Sequence, residues 1–359
     1  MAGIKELARE CGVSVATVSR ALNGHPEVSD ATRRLVREAA ERNGYRPSQS
    51  ARALVRGRSD TIGLLWDTGY EGDGRRHPFL LALLVGVKRA LSSAGRHLLL
   101  LNVDEHGPHE RAYIEAAHQH QLDGMILMGV DENEPRFKAL HASGFPCVAF
   151  DLALGGPYSS YVTSDNFAGA VAAVGHLHSL GHHRVATITG PQSLLPSAGR
   201  LAGFHSAAAD LGLKVLPGYV ETGDFFIDSG YACGQRLAAL PEPPTAVFAA
   251  GDEMAIGAMH AFTDAGLSVP EDISVIGFDD VELAALVRPA LTTIAQDWQA
   301  MGGSAVDVLL RLVEQRAAAA AVGSPAQDAA AEQDVAVRRP GRVVPTRLVL
   351  RDSCRPPRD

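Results

Sequence analysis

The sequence has few cysteines and few aromatic residues. Its 359 residues include 4 Cys, and aromatic side chains make up 6% of the chain. The cysteines lie far apart and form no Cys-x-x-Cys pair, which excludes a dense disulfide scaffold and the usual cysteine-based zinc motifs. Free thiols are typical of a reducing compartment, and we therefore expect the protein in the cytoplasm.

Long apolar runs are also missing. The longest, Phe79–Val87, falls well short of the roughly 20 residues that span a bilayer, and charged residues interrupt the first ten positions. We therefore expect neither an export signal nor a membrane segment. Hydrophobic residues still make up 46% of the chain, which is typical of a globular protein with a sizeable core.

The motifs of several common enzyme classes are absent. We find no phosphate-binding loop, no Rossmann glycine fingerprint, no nucleophile elbow and no zinc-protease helix. Three histidine pairs could suggest a metal site: His118/His120, His176/His178 and His182/His183. No cysteine or carboxylate completes a recognisable ligand set around them. We predict no catalytic residue, no cofactor and no metal.

Charge is distributed unevenly along the chain. Residues 1–59 contain 11 Lys/Arg and 6 Asp/Glu and so carry +5, whereas the remaining residues contain 22 and 35 and carry −13. Basic side chains neutralise the phosphates of a DNA duplex. A larger domain that does not contact DNA needs no excess of basic residues and can be acidic. The asymmetry indicates a small nucleic-acid-binding module followed by a larger domain.

Residues 1–47 predict a three-helix unit. Apolar positions recur at helical spacing in three blocks, residues 4–11, 15–22 and 30–43. Gly12 can adopt the positive φ of a helix end, and Ser14 and Ser29 can cap the helices that follow them.

The first two of these helices fit a helix-turn-helix motif. Ala8 is small where the helices touch, Gly12 makes the turn, and Val13 and Val18 fill the core. The alternative is an ordinary amphipathic helix pair, which would not explain why a small residue, a turn glycine and core valines occur at these positions. The second helix would then lie in a major groove of DNA.

Residues 60–359 predict an α/β core of two doubly wound parallel-sheet lobes, because short Val/Ile/Leu-rich runs alternate with amphipathic stretches. Strand candidates are Thr61–Trp66, Leu98–Val103, Gly124–Met128, Cys147–Asp151, Val185–Thr189, Tyr219–Thr222, Ala246–Ala250, Ile273–Phe278 and Val343–Leu350. Helix candidates include Leu80–Ala94, Ala168–Leu180, Ala198–Leu211, Ser229–Ala239, Met254–Ala265 and Trp298–Glu314.

The chain is expected to cross between the lobes near Val162–Ser164 and again near Ala290–Thr293. Lobe 1 then comprises about residues 60–162 plus 293–316, and lobe 2 about residues 163–291 plus 342–353. Residues 317–340 form an insertion whose Ala-rich part, residues 317–337, has too few large apolar side chains to pack. We expect this segment to be mobile and of low complexity.

Several segments resemble the lactose-repressor/galactose-repressor (LacI/GalR) family. They are VSVATVSRALNG, VSDATRRLVREAAERNGYRPSQSARAL, TIGLL, LGHHRVATITG, SAGRLAGF, DEMAIGA, VPEDISVIGFDD and LTTIAQD. Their order and spacing extend over almost the whole chain, which makes the resemblance specific. It implies an N-terminal all-α helix-turn-helix DNA-binding domain, followed by a periplasmic-binding-protein-like core that holds an effector between its lobes.

The resemblance also implies which residues contact DNA. They are Val15, Ala16, Thr17, Ser19, Arg20, Asn23, Thr32 and Leu54. Arg20 is the best base reader among them, because a guanidinium can bond guanine bidentately. Residues 48–59 are expected to form a hinge helix and a linker. Leu54 belongs to the hinge helix, Ser48–Arg56, where the resemblance implies that it wedges into the minor groove. A plain helical linker is the alternative for this stretch.

The resemblance implies an effector site at Phe79, Asp151, Arg200, Phe225, Asp279 and Gln296. Aspartates follow several strands, and open α/β sheets bind ligands beyond the carboxyl ends of their strands. Asp252 is interpreted as a helix N-cap and Asp280 as a structural residue. Gly251 stands where relatives often have an amide, Leu152 stands where many have Arg, and residues 67–78 are unusually charged, so the effector's identity stays open.

These features predict a repressor of sugar-utilisation genes, active as a homodimer on double-stranded operator DNA and controlled by a small sugar. A dimer is expected because no leucine-repeat helix follows Val343–Leu350. An enzyme and a transport-linked sugar-binding protein are the rival functions; the second would have no use for residues 1–58. The direction of the effector's action on DNA binding is left open.

Overall fold

The computed structural model describes residues 3–22, 25–45, 58–66, 77–101, 109–130, 134–321 and 341–358. The chain divides into two compact units, Met1–Asp60 and Thr61–Asp359. None of the helices in these described ranges is long and apolar enough to cross a membrane.

The N-terminal unit consists of three helices, as the sequence predicts: α1 (Ile4–Glu10), α2 (Val15–Leu22) and α3 (Asp30–Arg42). Gly12 has a φ of 64°, which turns the chain between α1 and α2. The Ser14 hydroxyl accepts a hydrogen bond from the Thr17 amide at 3.0 Å, and the Ser29 hydroxyl accepts one from the Thr32 amide at 3.2 Å. Both predicted caps therefore start their helices.

Twelve strands are described in the larger unit. They are β1 (Thr61–Trp66), β2 (His97–Leu101), β3 (Gly124–Met128), β4 (Cys147–Phe150), β5 (Ser159–Ser164), β6 (Val185–Thr189), β7 (Val220–Thr222), β8 (Ala246–Ala249), β9 (Ser274–Asp279), β10 (Thr292–Gln296), β11 (Arg342–Val344) and β12 (Thr346–Val349). Nine helices are described between them. They are α4 (Pro78–Ser93), α5 (Ala112–Gln119), α6 (Pro135–Ala142), α7 (Asn166–Ser179), α8 (Leu195–Asp210), α9 (Ile227–Ala238), α10 (Asp252–Asp264), α11 (Glu282–Leu286) and α12 (Trp298–Ala321).

The strands form two six-stranded sheets, and the prediction of two α/β lobes is confirmed. The first sheet has the order β11-β5-β4-β3-β1-β2 and the second the order β12-β10-β9-β8-β6-β7. All neighbouring strands are parallel except β12, which runs antiparallel to β10. In each lobe the carboxyl ends of the parallel strands therefore lie along one edge.

Two buried strands, β5 and β10, were not recognised in the sequence. Their Ser and Thr side chains obscure the apolar run that marks a central strand, yet almost all of their residues are buried. Burial is tolerated because the hydroxyls are hydrogen-bonded. Thr163 donates to Asp151 at 2.6 Å, for example, and Thr293 donates to Asp252.

The first expected crossing between the lobes agrees with the end of β5 at Ser164, whereas the second needs correction. Strand β10 belongs to the second sheet, so the chain returns to the first lobe after Gln296 and not near Ala290–Thr293. The single strand expected at Val343–Leu350 is two strands: β11 pairs with β5 in the first sheet, and β12 pairs with β10 in the second. Three segments thus connect the lobes, because the chain crosses a last time between β11 and β12.

Helix α12 is longer than the sequence analysis expected. It was expected to end at Glu314 but continues to Ala321, so the first five residues of the presumed unstructured insertion are helical. Alanine has the highest helix propensity, which explains this extension. Residues 322–340 and the expected hinge helix in residues 48–56 lie outside the described residues.

Candidate functional site

Helix α2 has one buried face and one exposed face. Val18 and Ala21 are fully buried against α1 and α3, whereas Val15, Ala16 and Arg20 are exposed. Thr17, Ser19 and Thr32, the expected phosphate contacts, are half-buried. The predicted DNA contacts on α2 therefore avoid the helix's buried side, as a groove-binding helix requires. Asn23 and Leu54 lie outside the described residues.

Arg20 has one acidic neighbour that the sequence analysis did not single out. Its Nη1 lies 4.0 Å from Glu27 Oε2, and both side chains are more than half exposed. Exposed ion pairs of this kind contribute about 0–1 kcal/mol, so Glu27 does not prevent Arg20 from reaching a base. The guanidinium remains available for DNA.

The second candidate site is a cavity of about 150 Å³ in the larger unit. All six residues expected to contact an effector line it, and they come from α4, α8, three strand ends and the loop after β7. The cavity is lined by His77, Phe79, Leu80, Gly129, Val130, Phe150, Asp151, Leu194, Pro196, Arg200, Asp224, Phe225, Phe226, Asp279 and Gln296. Since Phe79 and Asp151 belong to the first lobe and the other four to the second, the site lies in the cleft between them.

Arg200 is the central cation of this cleft. It is 4% exposed, and its Nε donates a hydrogen bond to Asn166 Oδ1 at 2.8 Å. Its Nη1 donates to the Ala250 carbonyl and lies 3.5 Å from Asp279 Oδ1. The guanidinium also stacks on Phe278 at 3.7 Å from the ring centroid. Among the described residues its Nη2 has no hydrogen-bond partner, which leaves one end of the fork for a ligand.

Two carboxylates stand at strand ends beside Arg200. Asp279 Oδ1 accepts a hydrogen bond from Gln296 Nε2 at 2.6 Å, while Asp279 Oδ2 is buried with no hydrogen-bond partner among the described residues. Asp151 accepts a hydrogen bond from Thr163. Both aspartates have positive φ angles, 56° for Asp151 and 120° for Asp279, which turn the chain sharply as it leaves its strand.

Burial shapes the ionisation of these groups. It raises the pKa of the Asp151 carboxyl, although the hydrogen bond from Thr163 and the charge of Arg200 favour the carboxylate. Burial also raises the pKa of Asp279, and Arg200 opposes that rise. The pKa of Arg200 itself is lowered by burial. The site is therefore a buried environment in which the ionisation of each group depends on its charged neighbours.

Phe225 forms an aromatic wall of the cleft. It has a φ of 75°, and its ring centroid lies 5.9 Å from the Arg200 guanidinium carbon. A Cβ at Gly190 would collide with this ring, so glycine is required there for the close approach. An aromatic wall beside a few polar groups is typical of a small-molecule binding site.

Asp252 does not have the role expected from the sequence. It is the first residue of α10 and Gly251 is the N-cap, so the interpretation of Asp252 as a cap is wrong. Its fully buried carboxylate accepts hydrogen bonds from Thr293 Oγ1 and from the Val281 amide at 2.9 Å. Burial and the neighbouring Asp279 raise its pKa well above the usual value. Asp252 therefore ties β10 to the segment after β9.

Asp280 forms ion pairs with two arginines outside the cleft. Arg351 Nη2 donates to its Oδ1 at 2.6 Å, and Arg347 lies at 3.8 Å. The structural role expected for Asp280 is therefore confirmed. Groups of three or more His, Cys, Asp or Glu side chains that could hold a metal ion were not found in the part of the chain that is described.

Sequence reasoning missed nine cavity residues. They are His77, Leu80, Gly129, Val130, Phe150, Leu194, Pro196, Asp224 and Phe226. One available signal was the His77-Pro78 pair, since proline often opens a helix and this helix follows β1. The residues next to that N-terminus then face the carboxyl edge of the sheet, where ligands bind.

Two family models match the chain. Residues 3–48 match bacterial regulatory proteins of the lacI family, and residues 174–354 match a periplasmic binding protein-like domain. Among curated proteins, the ribose operon repressor of Escherichia coli (strain K12) is 35% identical over 316 residues, which are 88% of this chain and 94% of that repressor.

Solved structures are similar over almost the whole length. A complex of the transcriptional regulator CelR with cellobiose is 31% identical, with a TM-score of 0.68, and covers 98% of this chain and 100% of its own. The lac repressor dimer bound to operator and the anti-inducer ONPF is 27% identical, with a TM-score of 0.77, and covers 98% of both chains.

Proposed function

The chain belongs to the LacI family of bacterial transcriptional regulators, and on this premise we propose that it represses sugar-utilisation genes under the control of a small sugar bound in its cleft. The relatives named above are regulators and not enzymes. The observation that carries the proposal is the convergence of Asp151, Arg200, Phe225, Asp279 and Gln296 on one cavity.

The cleft favours an uncharged, hydroxyl-rich effector. Three aspartates, Asp151, Asp224 and Asp279, line it, and Arg200 is already engaged with one of them. A phosphate or carboxylate on the ligand would meet this negative charge in a buried site, where repulsion is strong. Sugar hydroxyls can donate to carboxylates and accept from the guanidinium, so a neutral sugar satisfies both kinds of group.

DNA recognition is assigned to the exposed face of α2. Arg20 would bond guanine bidentately, and Val15 and Ala16 would contact thymine methyl groups. Thr17, Ser19 and Thr32 would hold phosphates, which position the helix but carry no sequence information. Asn23 and Leu54 complete the set as predictions from the family resemblance.

A first prediction concerns the operator. One three-helix head buries too little surface for tight binding, whereas two heads related by two-fold symmetry double the contact. We expect a homodimer on a pseudo-palindromic site, and nuclease footprinting on the gene's own promoter should protect two symmetric half-sites. Protection of a single asymmetric half-site would contradict the dimer.

A second prediction concerns the effector. Binding to the native state stabilises a protein by mass action, so the correct sugar should raise the melting temperature of the full-length chain. We expect a neutral monosaccharide or small oligosaccharide to do so and to change operator affinity in a gel-shift assay. The matched control is the phosphate ester of the same sugar, which should do neither. Stabilisation by the ester alone would refute the neutral-sugar assignment.

A further inference from the structure

One histidine of the first lobe approaches the second lobe across the cleft. His77 is the N-cap of α4 in the first lobe, and Asp279 ends β9 in the second. The distance from His77 Nε2 to Asp279 Oδ2 is 3.7 Å. A direct N–H···O hydrogen bond is at most about 3.2 Å long, but one hydroxyl oxygen beside this pair can lie within bonding distance of both atoms.

We propose that His77 is a specificity-determining effector contact that clamps one sugar hydroxyl against Asp279, so that a single hydroxyl bridges the two lobes. This proposal rests on the sugar-binding function proposed above and adds a residue to it. The hydroxyl donates its proton to Asp279 Oδ2 and accepts a hydrogen bond from His77 Nε2–H.

The orphaned carboxylate oxygen is the first argument. Asp279 is 4% exposed, and its Oδ1 is occupied by Gln296 and Arg200. Its Oδ2 accepts no hydrogen bond from the described residues. Buried acceptors are almost always satisfied in native proteins, so an empty one that faces a cavity indicates a donor supplied by a ligand.

Gly251 is the second argument. A Cβ at this position would lie 3.7 Å from Asp279 Oδ2 and 3.2 Å from the Phe225 ring. Any larger side chain here could therefore reach the carboxylate from within the second lobe. Because position 251 is glycine, no side chain from this position reaches Asp279 Oδ2. The side chain that faces Oδ2 is instead His77 of the opposite lobe.

The surroundings of His77 are the third argument. Its ring makes edge-to-face contacts with Phe225 and Phe226, at centroid distances of 6.1 and 6.2 Å, and its side chain is 13% exposed. These contacts hold the imidazole against the second lobe. A ligand that fixes His77 relative to Asp279 therefore fixes the separation of the lobes, which is how differential affinity for one conformation arises.

The test compares wild type and His77→Ala by calorimetric titration with the sugar that stabilises the protein most in the melting screen. The loss of one hydrogen bond to a buried site should weaken binding about tenfold or more. His77→Asn, which keeps a donor, should recover part of the affinity. His205→Ala on α8, an exposed histidine outside the cleft, should bind like wild type.

Deoxy analogues of the same sugar locate the bridging hydroxyl. One monodeoxy analogue should bind wild type about tenfold more weakly than the parent sugar does. The His77→Ala substitution should not weaken the binding of this analogue further, because the analogue lacks the hydroxyl that His77 contacts. His77 is not an effector contact if His77→Ala and wild type bind the parent sugar equally. The same holds if, for every analogue, the affinity losses from the substitution and from the missing hydroxyl simply add. In both cases the proposed sugar site itself is unaffected. If no sugar binds wild type, the effector proposal itself fails and the clamp fails with it.

Discussion

Arg200→Ala is expected to bind operator DNA with wild-type affinity and to lose its response to the effector. The guanidinium offers charge-assisted hydrogen bonds in a buried site, and their loss should weaken effector binding by about 2–4 kcal/mol. A ligand shifts a conformational equilibrium only through its different affinities for the two states, so a protein that no longer binds the effector does not respond.

Arg200 also braces the second lobe, because it donates hydrogen bonds to Asn166 and to the Ala250 carbonyl. Arg200→Ala should therefore melt at a lower temperature as well, and Arg200→Lys serves as the second variant because it keeps the charge without the bidentate fork. Arg236→Ala is the matched control, because Arg236 is a half-exposed arginine outside the cleft that pairs with Glu221. Gel shifts with increasing effector measure the response. A normal response in both Arg200 variants would remove this residue from the effector site.

Arg20→Ala is expected to abolish the preference for operator over unrelated DNA. Each bidentate contact between arginine and guanine contributes about 1–3 kcal/mol of discrimination, and a dimer loses two of them. Weak, salt-sensitive binding through the phosphates should persist, since other basic residues of the head supply it. The measurement is a gel-shift comparison of operator and scrambled duplex at several salt concentrations.

The matched control for Arg20 is Arg42→Ala. Arg42 ends α3 and bonds Glu10 Oε1 at 2.8 Å, so it ties two helices together on the surface and offers little to DNA bases. It should keep the operator preference. Wild-type preference in Arg20→Ala would show that another residue reads the bases.

The sequence was informative wherever structure depends on neighbours along the chain. The helices of the DNA-binding head, the turn at Gly12 and the caps at Ser14 and Ser29 all follow from local chemistry, and the structure contains each of them. Strands β5 and β10 were missed because their buried hydroxyls are satisfied by partners such as Asp151 and Asp252, which no local pattern reveals.

The sequence by itself therefore determined the two folding units, the helix-turn-helix and, through its family resemblance, six residues expected around an effector. Only the tertiary structure decided which lobe holds β10 and that Asp252 joins β10 to the segment after β9. It also decided that His77 faces the open oxygen of Asp279. The reason is physical: helix periods and caps are set within a few residues, whereas these contacts join positions far apart in the chain and depend on how two separate sheets close around one cavity.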